Sequence, residues 1–149
     1  MSVVLVTPDD FETLRKTVRA LRAQSVRAQL ELVITAPSAA SLRLDEAAVR
    51  DFYACKVVEV GRVDSTARAR AAGVRAASAS VVAFGEDHAF PAPGWAAALM
   101  ARHAGEWSAV APVMANANPR SKVSWANLLV EYAPWLEPTE GGEREHLPG

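Results

Sequence analysis

Glu86, Asp87 and His88 are adjacent side chains of the kinds that bind cations and carry protons, and they stand directly after Gly85. The run ahead of them, Val81-Val82-Ala83-Phe84, has the length and β-branched content of a buried strand. Behind them come two prolines, a glycine and Trp95, which opens a helix over Trp95 to His103. The cluster is therefore expected where a strand leaves its sheet. In open α/β sheets ligands bind at the carboxyl ends of the strands. Carboxylates and an imidazole at such a point can hold a divalent metal, and a metal can hold phosphates. The alternative is a solvated polar loop.

The elements that must position this cluster alternate along the chain. Ser2 to Thr7 reads as a buried strand, stopped by Pro8, with Asp9 and Asp10 as helix caps and Glu12 at capping-box distance from Asp9. Phe11, Leu14, Val18 and Leu21 recur at helical spacing, while Arg15, Lys16, Arg19 and Arg22 form a solvated side. Leu30 to Thr35 is a second strand, ended by Ala36-Pro37-Ser38, and Asp45 to Tyr53 is a short helical stretch. Lys56 to Val60 is a third strand. Asp64 or Ser65 caps an alanine- and arginine-rich helix reaching Ala77, whose Ala67, Ala71, Ala72 and Ala76 are expected to lie close against the sheet.

Parallel neighbours need crossover connections, so this alternation predicts an α/β fold with a wound, mostly parallel sheet and helices on both faces. Right-handed crossovers place the strand ends at Thr7, Ala36, Gly61 and Gly85 along one edge. Further on, Ser108 to Met114 is expected as an edge or broken strand because Pro112 lacks a ladder donor, and Trp125 to Tyr132 as a helix. Residues 1–137 are expected to form one domain, incomplete on its C-terminal acceptor side. Residues 138–149 read as a tail or the start of a continuation.

The chain has 149 residues, half of them hydrophobic, 22% charged, and a net charge of −1. No basic field points to nucleic acid. No apolar run has the length of a membrane span, and the single Cys55 excludes an internal disulfide. A cytoplasmic location is expected, with any membrane association supplied by parts outside this chain.

In order and spacing these segments resemble the nucleotide-sugar-binding half of the inverting, GT-A-fold glycosyltransferases of family two. The resemblance is carried by Ser2-Val3-Val4-Leu5-Val6-Thr7-Pro8, by Thr13 to Leu21, and by Leu30 to Ile34. It continues in Arg68-Ala69-Arg70-Ala71-Ala72-Gly73, similar to the family's Arg-Asn-Ala-Gly helix, and in Gly85-Glu86-Asp87-His88 followed by Pro93-Gly94-Trp95. It implies a GT-A, Rossmann-like fold that binds a nucleotide-diphosphate sugar through a divalent metal and transfers the sugar to an acceptor. Implied nucleotide-sugar contacts are Thr7, Pro8, Asp9, Ala36, Arg70, Glu86 and Asp87, and implied metal contacts are His88, Glu86 and Asp87. His88 stands where the family usually has the ligating aspartate, which favours Mn²⁺ over the oxygen-seeking Mg²⁺. Ala36-Pro37-Ser38 stands where the family usually has a base-pairing aspartate, so uridine, guanosine and thymidine diphosphate sugars remain alternatives. The family's catalytic aspartate lies in its second half; here Glu131 and Glu137 are candidates by charge only. A non-catalytic nucleotide- or sugar-binding domain, and an interaction module on the same fold, are the alternative readings.

Overall fold

A computed structural model describes residues 1–137 and 141–147. The chain divides into two compact units, Met1–Met100 and Ala101–Gly149.

The first unit is a four-stranded parallel sheet built from β1 (Ser2–Val6), β2 (Glu31–Ala36), β3 (Ala54–Glu59) and β4 (Val82–Phe84), in the order β3-β2-β1-β4. Val4 stands opposite Val33 on β2 and opposite Phe84 on β4. β1 and β2 are buried on both faces, which is why both read as continuous apolar runs. Helix α1 (Phe11–Arg22) joins β1 to β2, and helix α4 (Thr66–Ala76) joins β3 to β4. The chain steps from β1 outward in one direction and returns to the other side of β1. Right-handed crossovers therefore set α1 and α4 on opposite faces. Short helices α2 (Ala39–Leu42) and α3 (Glu46–Val49) fill the connection from β2 to β3.

Local chemistry sets the helix starts. Asp10, not Asp9, caps α1 by accepting the N–H of Glu12, while the N–H of Asp9 turns back to Thr7 Oγ1. Ser65 caps α4 and Ser38 closes a capping box on α2. The helical stretch expected over Asp45 to Tyr53 stops at Val49. The close face of α4 also differs from expectation. Ala69 and Gly73 are buried, whereas Ala67 and Ala71 are exposed. A Cβ on Gly73 would stand 2.5 Å from Val4 Cγ1 and 3.0 Å from Thr35 Oγ1, so the missing side chain sets how near this helix lies.

One charged group is buried within the sheet. Glu31 accepts from Ser2 Oγ, from the Ser78 N–H at 2.7 Å and from Lys56 Nζ at 2.8 Å. Burial pushes its carboxyl up, but the bonds from Lys56, Ser2 and Ser78 outweigh that and hold it down at about 2. It joins β1, β2, β3 and the segment after α4.

Helix α5 is Trp95–Arg102. Within the second unit, helix α6 (Lys122–Tyr132) is capped by Ser121 and followed by a 3-10 turn, Ala133–Trp135. The strand expected over Ser108 to Met114 does not form. Met114 alone makes a bridge, to Leu136. Pro112 has no N–H to give, and Val113 is exposed, so the run has no ladder to join. Of the expected tail, 138–140 and 148–149 lie outside the described residues. No helix among the described residues is long and apolar enough to cross a membrane.

Candidate functional site

The strand order puts the carboxyl ends of β1 and β4 side by side, and this is where the winding direction reverses. At such a switch point the flanking loops diverge and leave a crevice. Here the crevice is a cleft of about 300 Å³ lined by Val6, Pro8, Val63, Thr66, Arg70, Gly85, Glu86, Asp87 and His88. Its size is at the lower end for ligand pockets.

Each wall has a local cause. Pro8 ends β1 and stands exposed at the rim. Gly85 ends β4 with its N–H on Val4 O at 2.9 Å; a Cβ there would meet Leu5 Cδ2 at 2.6 Å, and Leu5 is fully buried. Only glycine lets the chain turn this close to β1. Arg70, one turn into α4, reaches across the cleft to Glu86 Oε1 at 3.0 Å. Its guanidinium also lies 5.5 Å from the ring centroid of Phe84, a side chain 52% exposed at the strand end.

The three residues after Gly85 form a connected group. His88 Nδ1 is 2.7 Å from Asp87 Oδ1, and its Nε2 is 3.3 Å from Glu86 Oε2. Glu86 thus bridges a guanidinium and an imidazole, one carboxylate oxygen to each. The donors are of the kinds that hold Mn²⁺, two carboxylates and an imidazole. They are nonetheless turned toward one another: no group of three or more His, Cys, Asp or Glu side chains among the described residues is arranged to hold a metal ion.

The sequence-expected residues therefore fall into two sets. Pro8, Arg70, Glu86, Asp87 and His88 line one cleft. Thr7, Asp9 and Ala36 lie outside its lining. Thr7 is fully buried, with its hydroxyl 2.9 Å from that of Thr13, and Ala36 is fully buried inside the sheet. Both shape strand ends from within, and Asp9 is exposed beyond the rim. Glu131 and Glu137 are exposed residues of the second unit. Val63 and Thr66 are lining residues that sequence reasoning missed, because nothing in the types Val and Thr marks a ligand wall. The one available signal was their place at the start of a helix that follows a strand.

Two other features do not add to the site. A groove of about 250 Å³ beside α1 and α3 is lined by Arg15, Arg19, Arg22 and Arg50 with Asp45. Arg15 pairs with Glu12 and Asp45, and Arg22 with Asp51, so much of its positive charge is already neutralised. Burial pushes the Cys55 thiol up to about 11, which makes it a poor nucleophile.

No known protein-family model matches this chain, and no curated protein sequence matches it. Among solved structures it is similar to a crystal structure of S. aureus TarS, with a TM-score of 0.57 and 17% identity over 69% of this chain and 20% of that one. It is also similar to a crystal structure of S. aureus TarS 1-349, with a TM-score of 0.58 and 16% identity over 82% of this chain and 43% of that one. The chain thus spans less than half the length of either structure. Similarity at this level of identity speaks to architecture: the chain shares the α/β fold of these structures, a four-stranded parallel sheet flanked by helices.

Proposed function

We propose that this chain is the donor-binding part of an inverting glycosyltransferase of the family-two type, taking a nucleotide-diphosphate sugar into the cleft between the ends of β1 and β4. The observation that carries the reading is the convergence of Pro8, Arg70 and Glu86 to His88 on one switch-point cleft. The α/β fold shared with the TarS structures and the resemblance of the strand, helix and loop motifs in the sequence support it.

In this reading Pro8 forms the base-side wall. Arg70 faces the diphosphate, where a fixed guanidinium offsets charge that grows as the nucleotide leaves. Glu86 holds Arg70 across the cleft. Asp87 and His88, the more exposed pair, would turn from each other to supply donors for a divalent cation, Mn²⁺ in preference to Mg²⁺, with Glu86 as a further donor. The cation would neutralise phosphate charge.

Calorimetric titration with UDP, GDP and dTDP, with and without Mn²⁺, tests this on the 149-residue chain and on His88→Ala. Binding that requires the metal and is lost in the variant is the expected result, and it also names the base. A folded chain that binds none of the three overturns the donor-site reading. A second reading, a nucleotide- or sugar-binding module without catalysis, is favoured by Ala36 ending β2 with no carboxylate. Sugar transfer by a longer chain carrying this unit would exclude it.

A further inference from the structure

The segment that carries Glu86, Asp87 and His88 follows a short strand at the edge of the sheet. Among the described residues β4 is a three-residue edge strand paired to β1 alone, and 87–90 and 92–94 are exposed. Two polar side chains on the buried face of α1 and the turn after it reach this segment. Thr17 and Gln24 are each only 1% exposed. Seven residues apart, they fall on the same side as Phe11, Leu14, Val18 and Leu21.

A buried hydroxyl or amide is costly unless its hydrogen bonds are satisfied, so their partners show what they do. Thr17 Oγ1 lies 2.9 Å from Glu86 O, 3.1 Å from Asp87 O and 3.1 Å from Ala89 O. A hydroxyl has one hydrogen to give, so three carbonyls of one loop share a single donor. Gln24 Nε2 donates to Ala92 O at 3.0 Å and, within its own helical turn, to Ala20 O at 3.2 Å. Its Oε1 accepts the Ala96 N–H at 3.1 Å, a bond that a capping side chain ordinarily makes at a helix start. One stretch of chain therefore grips the whole connection from β4 to α5, at both ends and through backbone atoms only.

We propose that Thr17 and Gln24 are the positioning residues of the donor site: they fix the backbone of 86–96 so that Glu86, Asp87 and His88 stand over the β1–β4 switch point. The assignment rests on the donor-site reading for its purpose and on the hydrogen bonds alone for its mechanics. The grip is on main-chain carbonyls and one main-chain N–H, so it uses none of the loop's side chains.

The test compares Thr17→Val, which keeps shape and removes the hydroxyl, with Thr17→Ser, which keeps the hydroxyl, and with Gln24→Met. Amide hydrogen exchange and UDP–Mn²⁺ titration are read on each. Thr17→Val is expected to speed exchange across 86–89 about tenfold while β1 and β2 keep their rates. It is also expected to weaken nucleotide binding about tenfold, with Thr17→Ser close to the wild type. Gln24→Met should loosen 92–96 in the same selective way, and it carries the comparison if Thr17→Val does not fold. Unchanged exchange over these segments overturns the assignment. So does faster exchange spread evenly over the sheet, which would mark a general stability effect. A wild-type chain that binds no nucleotide but shows the selective loosening overturns the donor-site reading and leaves the positioning supported.

Discussion

At the scale of single residues, the cleft is organised by Arg70 and Glu86. Each is only about a quarter exposed, and their bond crosses from α4 to the loop after β4. Partly exposed pairs of this kind add little to stability, so Arg70→Ala should leave the unfolding midpoint nearly unchanged. Its expected effect is on binding: loss of a charged donor to phosphate weakens nucleotide affinity about 10- to 100-fold, read by calorimetry. Cys55 gives an independent check on burial. With its thiol at about 11, only about one molecule in a thousand is thiolate at pH 8, so a thiol-reactive dye should label the folded chain far more slowly than the unfolded chain. Glu86, Asp87 and His88 are conspicuous in the sequence as polar groups just past an apolar strand, whereas Arg70, inside α4, is picked out only by the resemblance of its helix. Thr17 and Gln24 were not legible. A threonine and a glutamine at helical spacing look the same whether they face water or a carbonyl.

At the scale of elements, α4 and α1 hold the site by different means. α4 lies near the sheet because Gly73 leaves room for Val4 and Thr35. Gly73→Ala forces a methyl against fully buried neighbours and should cost about 1–3 kcal/mol in urea unfolding, despite alanine's better helix propensity. α1 depends on its cap: Asp10→Ala removes the acceptor of the Glu12 N–H and the partner of Arg43, and should cost about 1 kcal/mol. The helices and strands of the first unit were readable from period and punctuation. The strand over 108–114 was misread because an apolar run can be recognised, whereas the partner that makes it a strand lies elsewhere in the chain.

At the scale of the whole molecule, Glu31 ties the sheet together and sets an acid limit. Its carboxyl titrates at about 2 in the folded chain against an ordinary 4.5, so the folded state holds the charged form more strongly. The stabilisation is complete above the ordinary value and is lost as pH falls from about 4.5 toward about 2. A shift of that size corresponds to about 3 kcal/mol. Unfolding free energy measured from pH 6 to pH 2 should fall through this window, and Glu31→Gln should be less stable at pH 6 with a flatter profile below pH 5.

The sequence by itself determined the class of fold, the positions of the four strands to within a residue or two, and the placement of Glu86 to His88 at a strand end. Hydrophobic period, prolines and caps act over a few residues, and a linear reading reaches that far. What only the tertiary structure decided is the order β3-β2-β1-β4. That order sets β4 beside β1, brings Arg70 within 3.0 Å of Glu86, and lets Thr17 take hold of a loop 69 to 72 residues away. Strand order follows from which faces pack together once the chain closes, and no local pattern encodes it.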